Sequence, residues 1–171
     1  MNRSDWLDRY APGLQALTPD EREAITHFSF LWTMFEARVL STRASANAIV
    51  EASQRWAGNG LLAADTFGQE VAYFRDRYVA DGKFTYHFNH LHLRRNDAPE
   101  LVKKVLAGEV TEPEEIAAAV LIIVYRFRNN LFHGVKWSYE LQGQLENFTH
   151  ANATLMHAIE LYEKAEPGMR A

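Results

Sequence analysis

Thr18-Pro19-Asp20-Glu21, followed by Phe28, Leu31, Trp32, Phe35 and Val39, is the stretch that decides the fold class. Thr18 can cap a helix, Glu21 completes a capping box, and Pro19 suits the first helical position, where an N–H would go unpaired in any case. The apolar residues then recur at steps of three and four, which winds them onto one face of a helix. Residues 41–45 either break this helix or carry it onward, and the pattern does not choose.

Outward from there the chain continues to read as helices. A second runs from Ala46 to Trp56 and stops at Gly58-Asn59-Gly60. Asp65 is a candidate cap for a third, with Phe67, Val71, Phe74 and Tyr78 on one side and a stop near Asp81-Gly82. Residues 83–97 mix aromatics, histidines and basic residues without a helical period and read as a long loop or a short hairpin. A short helix over about 99–107 ends at Gly108. Thr111-Glu112-Pro113-Glu114 repeats the capping-box signature and launches a long apolar helix, with Gly134 placed just past its end. The last helix, over about 138–164, carries Leu141, Leu145, Phe148, Asn152, Leu155, Ile159 and Tyr162 at alternating steps of four and three, the spacing that runs along a neighbouring helix. This seam reads as core, with a dimer surface as the competing use. No linker, repeat or low-complexity segment interrupts residues 1–171. The expectation is one all-α domain, an up-and-down helical bundle with additional short helices.

Composition narrows the function. A formal net charge of -4 argues against a general polyanion binder, but leaves room for a local basic cleft. The absence of cysteine excludes disulfides and thiolate metal sites. The first residues lack the apolar core of a signal peptide, and the longest apolar run, 116–125, is about half of what a bilayer requires. A cytoplasmic chain without membrane partners is expected.

Against this acidic background the stretch Arg128-Asn129-Asn130-Leu131-Phe132-His133 stands out. From Ile116 through Tyr139 there is no Asp or Glu, so Arg126, Arg128, His133 and Lys136 are potential cations without a local counter-charge, an arrangement suited to holding a phosphate. Cleaving RNA without a metal needs a base for the ribose 2′-OH and an acid for the departing 5′-oxygen, and histidine serves as either near neutral pH. Arginine, always charged and fork-shaped, can stabilise the extra negative charge on the phosphate. Asn129 and Asn130 can orient the phosphate or the imidazole. Five positions apart, Arg128 and His133 lie about 140° apart around an ideal helix, whereas Arg126 and His133 nearly share a face. Arg126 is therefore an alternative operative arginine.

The run Tyr125-Arg126-Phe127-Arg128-Asn129-Asn130-Leu131-Phe132-His133-Gly134-Val135-Lys136 resembles the signature of the HEPN superfamily, and within it the Apea-like branch. The likeness in detail covers residues 125–136 only, and the helical order of the chain is compatible with it. The resemblance implies an all-helical, usually dimeric domain. Many members are metal-independent endoribonucleases of toxin-antitoxin and antiphage defence systems, and others bind RNA or nucleotides without cutting. Carried over by position, Arg128 and His133 are the catalytic pair and Asn129 the polar partner. The polar residue after Arg128 favours it over Arg126, which Phe127 follows. In the family the two motifs of a homodimer face each other, so one site draws on both chains. Arg126, Asn130 and Lys136 are then expected to touch RNA, with no cofactor and no metal implied. RNA and an antitoxin are the partners to expect. The competing readings are a HEPN module that binds RNA or a nucleotide without cleaving it, and a structural dimerisation domain in which Arg128 and His133 serve as helix-end cations.

Two further features carry alternatives. Glu36 reads as the edge of a polar helix face, with pairing to an arginine of the site as the other use. His87, His90 and His92 have a spacing that can suggest a metal, but no cysteine accompanies them. Tyr86, Phe88 and these histidines can instead stack bases while Lys83, Arg94 and Arg95 meet phosphates. The plainer alternative is a loop that lays its aromatics on the bundle.

Overall fold

A computed structural model describes residues 12–132 and 141–167, together with Trp6, Arg9 and Tyr10. Among these residues it contains seven α-helices and one minimal hairpin. The capping box forms as written in the sequence: the Glu21 amide donates to Thr18 Oγ1 at 3.2 Å, and the Thr18 amide donates to the Glu21 carboxylate at 2.9 Å. It launches α1, Pro19–Arg38. The other Glu21 oxygen accepts from the Gly143 amide at 2.6 Å, which pins the start of α1 to the chain just ahead of the last helix.

Residues 41–45 break the helix. Ser41 and Thr42 have φ of 49° and 61°, a left-handed conformation that a right-handed helix cannot continue through. Ser45 then caps α2, Ala46–Gly58, by accepting from the Ala48 amide at 3.1 Å. The third helix, α3, runs Gly68–Tyr78, and Asp65 does not cap it. Residues 63–66 make a turn first, and the Asp65 backbone carbonyl accepts from the Gly68 amide at 2.9 Å. Phe67, Val71, Phe74 and Tyr78 are all buried, as their spacing requires.

Asp81 and Gly82, at φ of 50° and 70°, form the two-residue turn of a hairpin between β1, Val79–Ala80, and β2, Lys83–Phe84. The short α4, Tyr86–Asn89, follows; the sequence pattern did not indicate it. Next comes α5, Pro99–Ala107, which ends at Gly108 as expected. The long apolar helix, α6, runs Pro113–Phe132. It begins one residue later than a Thr111 box would place it, so Glu112 stands at the cap and its carboxylate accepts from the Thr111 amide at 3.1 Å. The last helix, α7, is Leu145–Ala165 and starts later than the seam suggested. Gly143, at φ 69°, turns the chain before it, and residues 138–140 lie outside the described part.

The architecture is an all-α helical bundle. α1 lies along α7, while α2 and α5 pack on α6. The middle of α6, residues 117–124, has essentially no solvent exposure on any side, which explains why it is apolar all round rather than striped. Phe28 of α1 meets Phe148 of α7 edge-on at 5.1 Å, and Phe127 of α6 joins Phe74 and Phe148, so one continuous apolar core runs through the bundle. No helix among the described residues is long and apolar enough to cross a membrane.

Candidate functional site

The final turns of α6 carry Arg126, Arg128, Asn129 and Asn130, and helical rotation sends them to different neighbours. Arg126 and Arg128, two residues apart, point about 200° apart. Arg126 is 3% exposed. Its Nη1 donates to Asp97 Oδ2 at 3.1 Å and its Nε to the Leu91 carbonyl at 3.0 Å. Burial lowers the guanidinium pKa, and the Asp97 charge opposes that shift. Asp97 Oδ2 also accepts from the Arg94 amide at 2.8 Å. This is a buried clamp between α6 and the chain ahead of α5. The sequence leads one to expect Arg126 at RNA or in place of Arg128; in the fold its guanidinium is buried and paired with Asp97.

Arg128 is different. Its side chain is partly exposed and projects toward α1, between the rings of Trp32 (6.0 Å from the guanidinium carbon) and Phe132 (5.6 Å). Cation–π contact with two rings fixes the plane of the guanidinium without consuming its N–H groups. Nη1 donates to Asn129 Oδ1 at 3.1 Å. Nη2 lies 3.8 Å from Glu36 Oε2, an oxygen that accepts from the Trp32 indole N–H at 2.7 Å. Nε is buried without a hydrogen-bond partner among the described residues. The guanidinium is thus held, part-exposed, at the bundle surface.

The lack of acids between 116 and 139 therefore did not mean a lack of counter-charge. Asp97 reaches Arg126 and Glu36 reaches Arg128 through the fold. Of the two uses open to Glu36, pairing with an arginine is the one realised. Asp97 was missed; its only sequence signal is that it is the lone acid closing an otherwise basic segment.

Asn129 is buried, and its side-chain oxygen orients Arg128. Asn130 is also buried, and its Nδ2 donates to the carbonyls of His90 and Leu91 at 3.2 and 3.4 Å. The sequence leads one to expect Asn130 at RNA; in the fold its Nδ2 serves the backbone of the His90 segment. The Leu91 carbonyl thus takes hydrogen bonds from both Arg126 and Asn130. His133, Gly134 and Lys136 lie outside the described residues.

The segment held by these bonds has its aromatics divided between core and surface. Phe88 and Leu91 are buried in the bundle, whereas Lys83, Tyr86, His87, His92, Arg94 and Arg95 are exposed. Tyr86 is 72% exposed, and its ring lies 4.2 Å from that of His90. Among the described residues no three His, Asp or Glu side chains gather closely enough to hold a metal. No protein-family model, curated protein or solved structure matches this chain.

Proposed function

We propose that the chain is a HEPN-type endoribonuclease that cuts RNA without a metal and works as a homodimer. The observation that carries this reading is the presentation of Arg128. It is an arginine flanked by two aromatic rings, oriented by the Asn that follows it and part-exposed at the surface, five residues before a histidine. In the reaction, the 2′-OH loses its proton to a base, the 2′-oxygen attacks phosphorus, and the 5′-oxygen departs with a proton from an acid. The products are a 2′,3′-cyclic phosphate and a 5′-OH. His133 serves the proton transfers, Arg128 stabilises the charge gathering on the phosphate oxygens, and Asn129 positions Arg128. In the homodimer, groups from both motifs combine in one site. A role in toxin-antitoxin or antiphage defence, with an antitoxin holding the enzyme in check, belongs to the same proposal.

Glu36 favours a second reading. A carboxylate 3.8 Å from Arg128 already competes for the guanidinium, which suits a module that holds RNA or a nucleotide without cutting it. The test is incubation of purified protein with total and structured RNA in excess EDTA, beside Arg128→Ala and His133→Ala. Cyclic-phosphate products from the wild type alone establish the nuclease. RNA affinity with no cleavage by folded, dimeric protein establishes the binding module.

A further inference from the structure

We infer that the cleft beside α4 is a subsite for one nucleotide of a single-stranded RNA, its base stacked on Tyr86 and its phosphate met by Arg77. This rests on the reading of the chain as a protein that acts on RNA. The cleft has a volume of about 200 Å³, and Arg77, Tyr86, His87, His90 and Asn147 line it, with Phe127 at its back. It is smaller than the roughly 300–1,000 Å³ pockets that take whole drug-sized ligands, so it takes part of one nucleotide, with the rest lying at the surface.

Three properties favour this occupant. First, the mouth carries a cluster of rings. Tyr86 stands 4.2 Å from His90 and 5.8 Å from His87, and at 72% exposure Tyr86 is not serving the core. Aromatic side chains at the surface are platforms for unstacked bases of single-stranded RNA. Second, the charge is of the right sign. Arg77 and two histidines line the cleft, and none of its described lining residues is acidic, although the chain as a whole is. The Arg77 guanidinium is part-buried beside the Tyr73 and Tyr78 side chains, which hold its charge at the cleft. Third, the cleft is built on the candidate motif. Asn130 and Arg126 hold the backbone at 90–91, which forms one wall, and Phe127 immediately precedes Arg128 on α6. A strand with its reacting phosphate at Arg128 has a neighbouring nucleotide to place about a quarter-turn around the same helix. The buried Asn130 thereby acquires a use: it positions a binding wall rather than touching RNA itself.

The experiment is fluorescence anisotropy of the chain over residues 1–171 with a labelled 2′-O-methyl oligouridylate, which cannot be cleaved, in EDTA. UMP and AMP serve as competitors, and cleavage of unmodified RNA is followed in parallel. Tyr86→Ala removes an exposed ring and is expected to weaken oligonucleotide binding about tenfold without changing the melting temperature. Arg77→Gln is expected to weaken it similarly; should that variant not fold, Tyr86→Ala and the Tyr86→Ala/His90→Gln pair carry the test. Wild-type affinity in Tyr86→Ala overturns the subsite, and if that variant also cleaves normally the nuclease reading survives alone. Binding of free mononucleotides without the oligonucleotide overturns the assignment to RNA. Tyr86-dependent binding with no cleavage upholds the subsite and removes the nuclease. A wild type that neither binds nor cuts RNA removes both.

Discussion

Asp97 and Arg126 face each other at 3.1 Å with both side chains almost wholly buried, across 29 positions of sequence. A pair of this kind registers two segments, and removing one partner leaves an uncompensated charge in the interior. Arg126→Met and Asp97→Asn are each expected to lower stability by about 3–5 kcal/mol, read by urea unfolding. Arg128→Ala, whose partners are a part-exposed ion pair and the neighbouring Asn129 amide, is expected to lower it by about 1 kcal/mol or less. An Arg126→Met chain as stable as the wild type would refute the buried clamp.

On the proposed nuclease reading, the hydrogen bond from Arg128 to Asn129 makes Arg128 the catalytic residue and Asn129 the positioning one. Arg128→Ala is expected to reduce kcat by about 10²–10³, the scale for losing one preorganised donor to transition-state charge, and Arg128→Lys to recover little, because an ammonium cannot reproduce the fork. Asn129→Ala is expected to lower kcat about tenfold with KM nearly unchanged, since an arginine free to swing still attracts the substrate but meets the transition state less often. Single-turnover cleavage of a defined RNA gives both parameters. Equal losses in Asn129→Ala and Arg128→Ala would show Asn129 to be more than a positioner.

The helices were legible because their signals are local. Thr18 with Glu21, Gly108, and the spacing of Phe67 through Tyr78 each concern residues within a turn or two of one another. The candidate site was legible only in part, because its charges are paired through tertiary contact. Nothing near Arg126 in the chain announces Asp97, and nothing near Asn130 announces the carbonyls of His90 and Leu91. A basic stretch therefore reads as one electropositive site, when burial has in fact divided it. Arg126 and Asn130 face the interior, and Arg128 remains at the surface. Arg77 gave no signal at all, since its relation to Tyr86 and His90 exists only once the hairpin and α4 fold back beside α7.

Glu21 gives the fold a dependence on pH. The backbone amide of Thr18, and with less effect that of Gly143, donates to its carboxylate and holds its pKa below the ordinary glutamate value of about 4.3, while burial pulls the other way. A carboxyl with a depressed folded-state pKa contributes stability in full above its unfolded value, and that contribution is lost as the pH falls through the folded value. Glu21→Gln is expected to cost about 1–2 kcal/mol at neutral pH and little at the acid end. Thermal melts of both proteins from neutral to acidic pH should therefore converge as the pH falls. A constant gap would mean that Glu21 acts through shape alone.

On the proposed reading of Arg128 as the phosphate contact, Glu36 sets how strongly it draws that phosphate. Its Oε2 is 3.8 Å from Nη2, too far for a hydrogen bond but close enough for its charge to offset part of the guanidinium's. Glu36→Gln removes that charge while keeping an oxygen for the Trp32 indole N–H, so stability should change little. A part-exposed pair of this kind is worth roughly 0.2–1 kcal/mol, so RNA affinity should rise by up to about fivefold at low salt. The dependence of log affinity on log salt should steepen by up to about 0.7, the increment for one further contact to a single strand. Anisotropy with the non-cleavable oligonucleotide across a salt series measures both. In the Arg128→Ala background the same substitution should add less, because the guanidinium it was shielding has gone. An unchanged affinity and slope in Glu36→Gln would mean that Arg128 does not meet the phosphate.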